Sequence, residues 1–174
     1  TSIRRLYGRR QGHKLRQGQA ALVEELLPVV SIPDEGPLDA QTLFGDTRPL
    51  EFEIGFGGGE HLAHQAAIHP AVGFIGCEPF INGVGSLITR LEAAGLGNVR
   101  VHPGDARDLL ELLPAASLAR VFLLYPDPWP KARHHRRRFV TPQYLDPLAR
   151  VLAPGAEFRV ATDIPDYVRQ TLEE

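Results

Sequence analysis

Residues 51–59 read Glu-Phe-Glu-Ile-Gly-Phe-Gly-Gly-Gly, and this stretch decides the fold. An apolar-rich run from Leu50 to Phe56 meets glycines at 55, 57, 58 and 59, and a helical pattern from Glu60 to Ile68 follows. That order is the first strand–turn–helix unit of a nucleotide-binding sheet, where glycine lets the backbone come close to a ligand. The dinucleotide fingerprint G-x-G-x-x-G requires glycine at position 60, where Glu60 stands. The pattern present is acidic-x-Gly-x-Gly-x-Gly, carried by Glu53, Gly55, Gly57 and Gly59. A carboxylate at a strand end repels a pyrophosphate but accepts hydrogen bonds from an ammonium group.

Downstream the same arrangement recurs. The next strand, Val72 to Cys77, ends in Glu78, placed to accept from both ribose hydroxyls of an adenosine. A third, Val99 to His102, leads into Gly104-Asp105-Ala106, where Asp105 either accepts from an adenine amino group or caps the helix Ala106 to Leu113. A fourth apolar run, Val121 to Tyr125, opens into Pro126-Asp127-Pro128-Trp129-Pro130-Lys131 and a cationic tail through Arg138. Three prolines fix φ and remove backbone donors, which predicts a stiff loop at a strand end. Asp127, Trp129 and Lys131 offer an acceptor, a stacking face and a point charge, a set that suits a nucleobase with its phosphate; for Trp129, packing within the loop is the simpler role.

Strands are expected near 50–56, 72–78, 98–102, 119–125 and 156–162, with helices near 59–69, 80–94, 106–113, 141–152 and 165–173. Such alternation predicts an α/β protein with a mainly parallel twisted sheet, helices on both faces and ligands beyond the carboxyl ends of the strands. Glu53, Glu78, Asp105, Asp127 and Asp163 all fall at such ends. Residues 1–48 read as a basic arm with a short helix around Gln19 to Leu27 and a Pro/Gly-rich linker, and residues 49–174 as the sheet domain.

With 174 residues, 43% of them hydrophobic, the chain can bury one core. One cysteine, Cys77, excludes an internal disulfide framework and a thiolate metal cluster, and seven scattered histidines suggest no metal site. No apolar run approaches a membrane span, and the arginine-rich start lacks the apolar core of a secretory signal, so a cytoplasmic protein is expected. The net charge is −2, but its distribution is uneven. Arg4, Arg5, Arg9, Arg10, Lys14 and Arg16 crowd residues 1–16 without an acid; five more cations crowd residues 131–138. Two cationic segments on an acidic body are the electrostatic footprint of a polyanion ligand, here RNA.

Together, Glu-Ile-Gly-Phe-Gly at 53–57, Gly-Cys-Glu at 76–78, Gly-Asp-Ala at 104–106, Pro-Asp-Pro-Trp-Pro-Lys at 126–131 and Ala-Thr-Asp at 161–163 carry a specific likeness. The glycine motif resembles that of Rossmann-like S-adenosylmethionine-dependent methyltransferases, and the whole set resembles the bacterial tRNA (guanine-N7-)-methyltransferases. The likeness extends to Arg9-Arg10-Gln11-Gly12 and Gln19. It implies S-adenosyl-L-methionine binding at Glu53, Gly55, Gly57, Glu78, Asp105 and Asp127, tRNA binding at Lys131 and Asp163, and a catalytic role for Asp127. Members of that family continue past a position like Glu174 into two more strands and a substrate-binding Thr-x-x-Glu, so C-terminal strands of the fold are expected to lie outside this chain.

The chemistry implied is an in-line displacement by guanine N7. That atom carries a lone pair and no proton, so no base is needed to unmask it, and alignment should supply much of the rate. The base becomes cationic, and Asp127 suits the stabilisation of that charge. Two other readings use the same sheet: a nicotinamide-dependent oxidoreductase, which predicts glycine at 60, and a non-catalytic RNA-binding module. Oligomeric state and the tRNA species preferred are not encoded in these motifs.

Overall fold

A computed structural model describes residues 6–174; Arg4 and Arg5 of the first cationic run lie outside the described residues. Five strands, β1 (Leu50–Ile54), β2 (Gly73–Cys77), β3 (Val99–His102), β4 (Leu118–Leu124) and β5 (Leu152–Ala161), form one sheet in the order β3-β2-β1-β4-β5. All four pairings are parallel. The chain winds outward from β1 to β3 and returns on the other side of β1. The crevice beside β1 and β4 is therefore the switch point at which such sheets bind ligands.

Every residue of β1 and β2 is buried, as expected for inner parallel strands covered on both faces. On one face, Phe74, Val99 and Val101 pack with Leu62 and Ala66 of α3 (Glu60–Ile68) and with Val84, Leu87, Ile88 and Leu91 of α4 (Ile81–Ala94). On the other, Phe52, Ile54, Ile75 and Val121 pack with Leu109 and Leu110 of a helix at Ala106–Leu110 and Leu148 and Val151 of a helix at Pro142–Val151. Tyr167 of a final helix at Pro165–Glu173 closes that side.

Several boundaries differ from those expected. The helix expected near Gln19–Leu27, α1, runs over Gln17–Val30 and passes through Pro28; its Leu22, Val23, Leu26 and Leu27 lie on the α4 side of the core. A short helix, α2 (Ala40–Phe44), occupies what read as linker, capped by the Asp39 carboxylate, which accepts from Thr42 N–H at 2.8 Å. Ile32, Leu38 and Leu43 are buried in the main core. β5 begins at Leu152 rather than near 156, because register shifts at its start let it pass Pro154-Gly155 and still pair with β4. The helix expected over 106–113 stops at Leu110.

The proline loop is stiff only through Lys131; Ala132–Arg137 forms a 3-10 helix. Arg138, read as part of a cationic tail facing RNA, is 1% exposed. Its guanidinium donates to the Pro128 carbonyl at 2.9 Å and to Gln170 Oε1 at 2.8 Å, and it pairs with Asp166 at 2.9 Å. It also lies 5.0 Å from the Tyr167 ring centroid. The loop that follows β4 is thus tied to the last helix through one buried cation. Arg138→Ala leaves a cavity and orphans the Pro128 carbonyl, so we expect a loss of about 2–4 kcal/mol in urea denaturation. Arg136→Ala, at an exposed position, should leave the midpoint within error.

Candidate active site

A cavity of about 700 Å³ opens beyond the carboxyl ends of β1, β2 and β4. It is lined by Glu53, Gly55, Gly57, Glu78, Asp105 and Asp127, so six expected residues converge on one space. Lys131 and Asp163 do not line it; both are exposed.

The glycine turn combines one left-handed residue with one close approach. Gly57 takes φ of +58°, in the left-handed region. Gly83, in the first turn of α4, comes so near that a methyl group on it would lie 2.1 Å from the Gly57 carbonyl oxygen. Only glycine at 83 lets α4 begin this close to the turn.

Each carboxylate has a distinct electrostatic setting. Glu53 is 3% exposed, and burial pushes its carboxyl above the usual carboxylate range. His61 opposes that shift: its Nδ1 sits 3.1 Å from Glu53 Oε2, and its ring stands edge-on to Phe122 with centroids 4.8 Å apart. Asp105 does cap its helix, accepting from Arg107 N–H at 2.8 Å, and it also pairs with the Arg107 guanidinium, which lies 5.2 Å from the Tyr144 centroid. Cap and cavity wall are the same residue. Glu78 has no such cation among the described residues. Burial pushes its carboxyl up to about 7, the Gly57 amide draws it down, and the negative charge of Asp127 raises it further. Cys77 is buried, and burial holds its thiol far above reactivity.

Asp127 stands on a strained loop. Tyr125 has φ of +49° and Trp129 +40°, both in a region that bulky residues avoid. From the opposite side, residues 6–13 reach across. Arg10 O accepts from Ile81 N–H at 3.0 Å, Asn82 Oδ1 accepts from Gly12 N–H at 2.8 Å, and Asn82 Nδ2 donates to His13 O at 2.7 Å. Leu6 and Tyr7 line the cavity. His61, Arg107, Tyr7 and Arg137 are lining residues that sequence reasoning missed. The i, i+8 relation of Glu53 to His61 carries no pattern until the turn folds.

A family model described as "Putative methyltransferase" matches residues 47–174. The tRNA (guanine-N(7)-)-methyltransferase of Paracoccus denitrificans is 62% identical, with 98% of this chain and 77% of that protein covered. The enzyme of the same name from Ruegeria pomeroyi is also 62% identical, over 98% of this chain and 75% of its own length. The chain belongs to the tRNA (guanine-N(7)-)-methyltransferase family. Solved structures show the same fold at low identity. A precorrin-6y C5,15-methyltransferase from Geobacter metallireducens GS-15 superposes with a TM-score of 0.59 at 15% identity, covering 94% of this chain and 73% of that one. A 16S rRNA (adenine(1408)-N(1))-methyltransferase from Catenulisporales acidiphilia, solved with its cosubstrate S-adenosylmethionine, gives 0.51 at 20% identity, covering 70% and 62%. The nicotinamide-dependent alternative is set aside by this membership, in keeping with Glu60 where a dinucleotide turn needs glycine. Among the described residues, no helix is long and apolar enough to cross a membrane, and no group of three or more His, Cys, Asp or Glu is placed to hold a metal ion.

The shifted Glu78 yields a test. A carboxyl whose folded value is raised from 4.5 to about 7 adds stability below 4.5 that is lost as pH rises through 7. Glu78→Gln should therefore be more stable than the parent chain at pH 8, on the order of 1–3 kcal/mol, with the gap closing toward pH 4.5. Thermal or urea unfolding at the two pH values checks it; an equal gap at both would assign the effect to packing.

Proposed function

We propose that the chain transfers a methyl group from S-adenosyl-L-methionine to N7 of a guanine in tRNA. The observation that carries this is the 62% identity, over 98% of the chain, to enzymes of that name. The site's chemistry supports it. A cavity of about 700 Å³ is of a size for one nucleoside-sized ligand and a base. Its acids suit a ligand with an ammonium, two ribose hydroxyls and an adenine. Bound S-adenosylmethionine supplies an electrophilic methyl carbon on a sulfonium.

In this reading Glu53, held by His61, accepts from the amino acid ammonium, and Gly55 and Gly57 let the chain approach it. Glu78 accepts from the ribose hydroxyls, and Asp105 faces the adenine while Arg107 keeps its orientation. Asp127 holds the guanine edge and stabilises the charge that develops on the base. Lys131 and Asp163, outside the cavity, fit contacts with the surrounding tRNA. So do Arg133 and Arg136, exposed on the 3-10 helix beside the loop. A tRNA substrate also makes the cytoplasm the place of action.

The deciding experiment is methyl transfer to an unmodified tRNA transcript, followed by nucleoside analysis. N7-methylguanosine is the expected product; methyl on another atom, or none, would overturn the proposal. In single-turnover form, with both ligands saturating, Asp127→Asn should lower the rate about 10²–10³-fold while S-adenosylhomocysteine affinity stays within a few-fold. Replacing Lys131, Arg133 and Arg136 with Ala should weaken tRNA binding and flatten its salt dependence by roughly 0.7–0.9 in slope per lost phosphate contact. An unchanged slope would make the strip a solvated surface.

A further inference from the structure

Beside Asp127, the rings of Tyr7 and Trp129 meet nearly at right angles, with centroids 6.2 Å apart and planes at 74°. The Arg137 guanidinium sits in the angle, its Cζ 4.4 Å from the Tyr7 centroid and 5.0 Å from that of Trp129. All three residues line the cavity that holds Glu78 and Asp127. The buried Nε of Arg137 has no hydrogen-bond partner among the described residues. A planar cation is thus held against two aromatic faces with that donor unused. Its departure breaks no hydrogen bond from that atom.

We propose that Tyr7 and Trp129 form a corner that receives the target guanine and steadies it as it turns cationic, with the Arg137 guanidinium as place-holder in the free protein. This rests on the tRNA guanine-N7 reading above. Guanine contains a planar N–C–N guanidine unit, so the guest now present has the outline of part of the base. The transfer changes the base in the direction the corner favours. N7 donates its lone pair to the methyl carbon, the sulfur–methyl bond breaks with its electrons remaining on sulfur, and the positive charge passes from sulfonium to base. Aromatic faces attract a cation more than a neutral ring, so the corner holds the late species better than the early one.

Placement agrees with that role. If Gly8 carried a Cβ, it would lie 3.4 Å from Asp127 Oδ2, so a base seated against Tyr7 lies beside the carboxylate. The arm is pinned at Arg10, Gly12 and His13 to the first turn of α4, which limits how far Tyr7 can wander. Trp129 is aimed by a backbone of positive φ. The displaced guanidinium of Arg137, at the end of the cationic 3-10 helix, can then be taken by a phosphate.

Single-turnover methyl transfer with saturating tRNA and S-adenosylmethionine tests the corner. Tyr7→Leu should slow the step roughly tenfold, Tyr7→Phe, which keeps the π face, should stay within about twofold, and S-adenosylhomocysteine affinity should not move in either. Equal rates for Leu and Phe would overturn the proposal. Trp129 is the only tryptophan in the chain, so its fluorescence reports the corner directly without any substitution. With S-adenosylhomocysteine bound, tRNA already carrying N7-methylguanosine should change that fluorescence more than unmethylated tRNA. Identical responses would also overturn it. The two readings fail separately: wild-type protein that makes N7-methylguanosine but shows neither effect loses only the corner, whereas wild-type protein that makes none loses the activity itself.

Discussion

The contact of Gly83 with the Gly57 carbonyl sets the positions of everything around the cavity. It is backbone against backbone, and no side chain fits between. Because α4 starts there, Ile81 and Asn82 stand where they can bind residues 10–13, and the preceding residues are led over the cavity mouth. The left-handed Gly57 meanwhile turns its amide toward Glu78. One close approach thus places the glycine turn, the first turn of α4 and the N-terminal segment in a single arrangement. Moving α4 outward by the few tenths of an ångström that tightly packed atoms can give would not make room for a methyl group.

Within that frame the four carboxylates at the strand ends, Glu53, Glu78, Asp105 and Asp127, are of two kinds. Glu53 has His61, and Asp105 has Arg107, so each arrives with its charge partly answered and its orientation held. Glu78 lies within reach of the negative charge of Asp127, which raises its carboxyl beyond what burial alone does. For Glu78, whose carboxyl burial already pushes up to about 7, a cation would have offset that cost. Among the described residues Glu78 and Asp127 have no cationic partner, which under the proposed function leaves them for a ligand's hydrogen-bond donors and developing charge.

Much of this was legible in the sequence, for identifiable reasons. Strand–helix alternation gave the sheet because inner parallel strands are written as apolar runs punctuated by glycine and proline. Glu78, Asp105 and Asp127 were found because they follow such runs. What was missed depends on distance through space. Arg138 looked like one more member of a cationic tail, and only the packing of the last helix shows why that arginine is buried among Pro128, Asp166 and Gln170. His61 and Arg107 looked like ordinary helix residues. The segment around Ala40–Phe44 read as linker because five residues are too few for a hydrophobic period to show.

The loop after β4 shows why stability and function pull against each other here. Tyr125 and Trp129 bracket Asp127 with backbone conformations that cost on the order of 1–3 kcal/mol each. Prolines at 126, 128 and 130 narrow the alternatives to which the loop can relax, and Arg138 clamps the Pro128 carbonyl from beneath. The strain is thus held from two sides, by covalent stiffness along the chain and by a buried cation across it. A relaxed loop would let Asp127 swing away from the cavity and let Trp129 leave it. Held as it is, the loop presents carboxylate and indole to one cavity at fixed separation, and alignment of that kind is what a displacement with a ready nucleophile and a ready leaving group requires most.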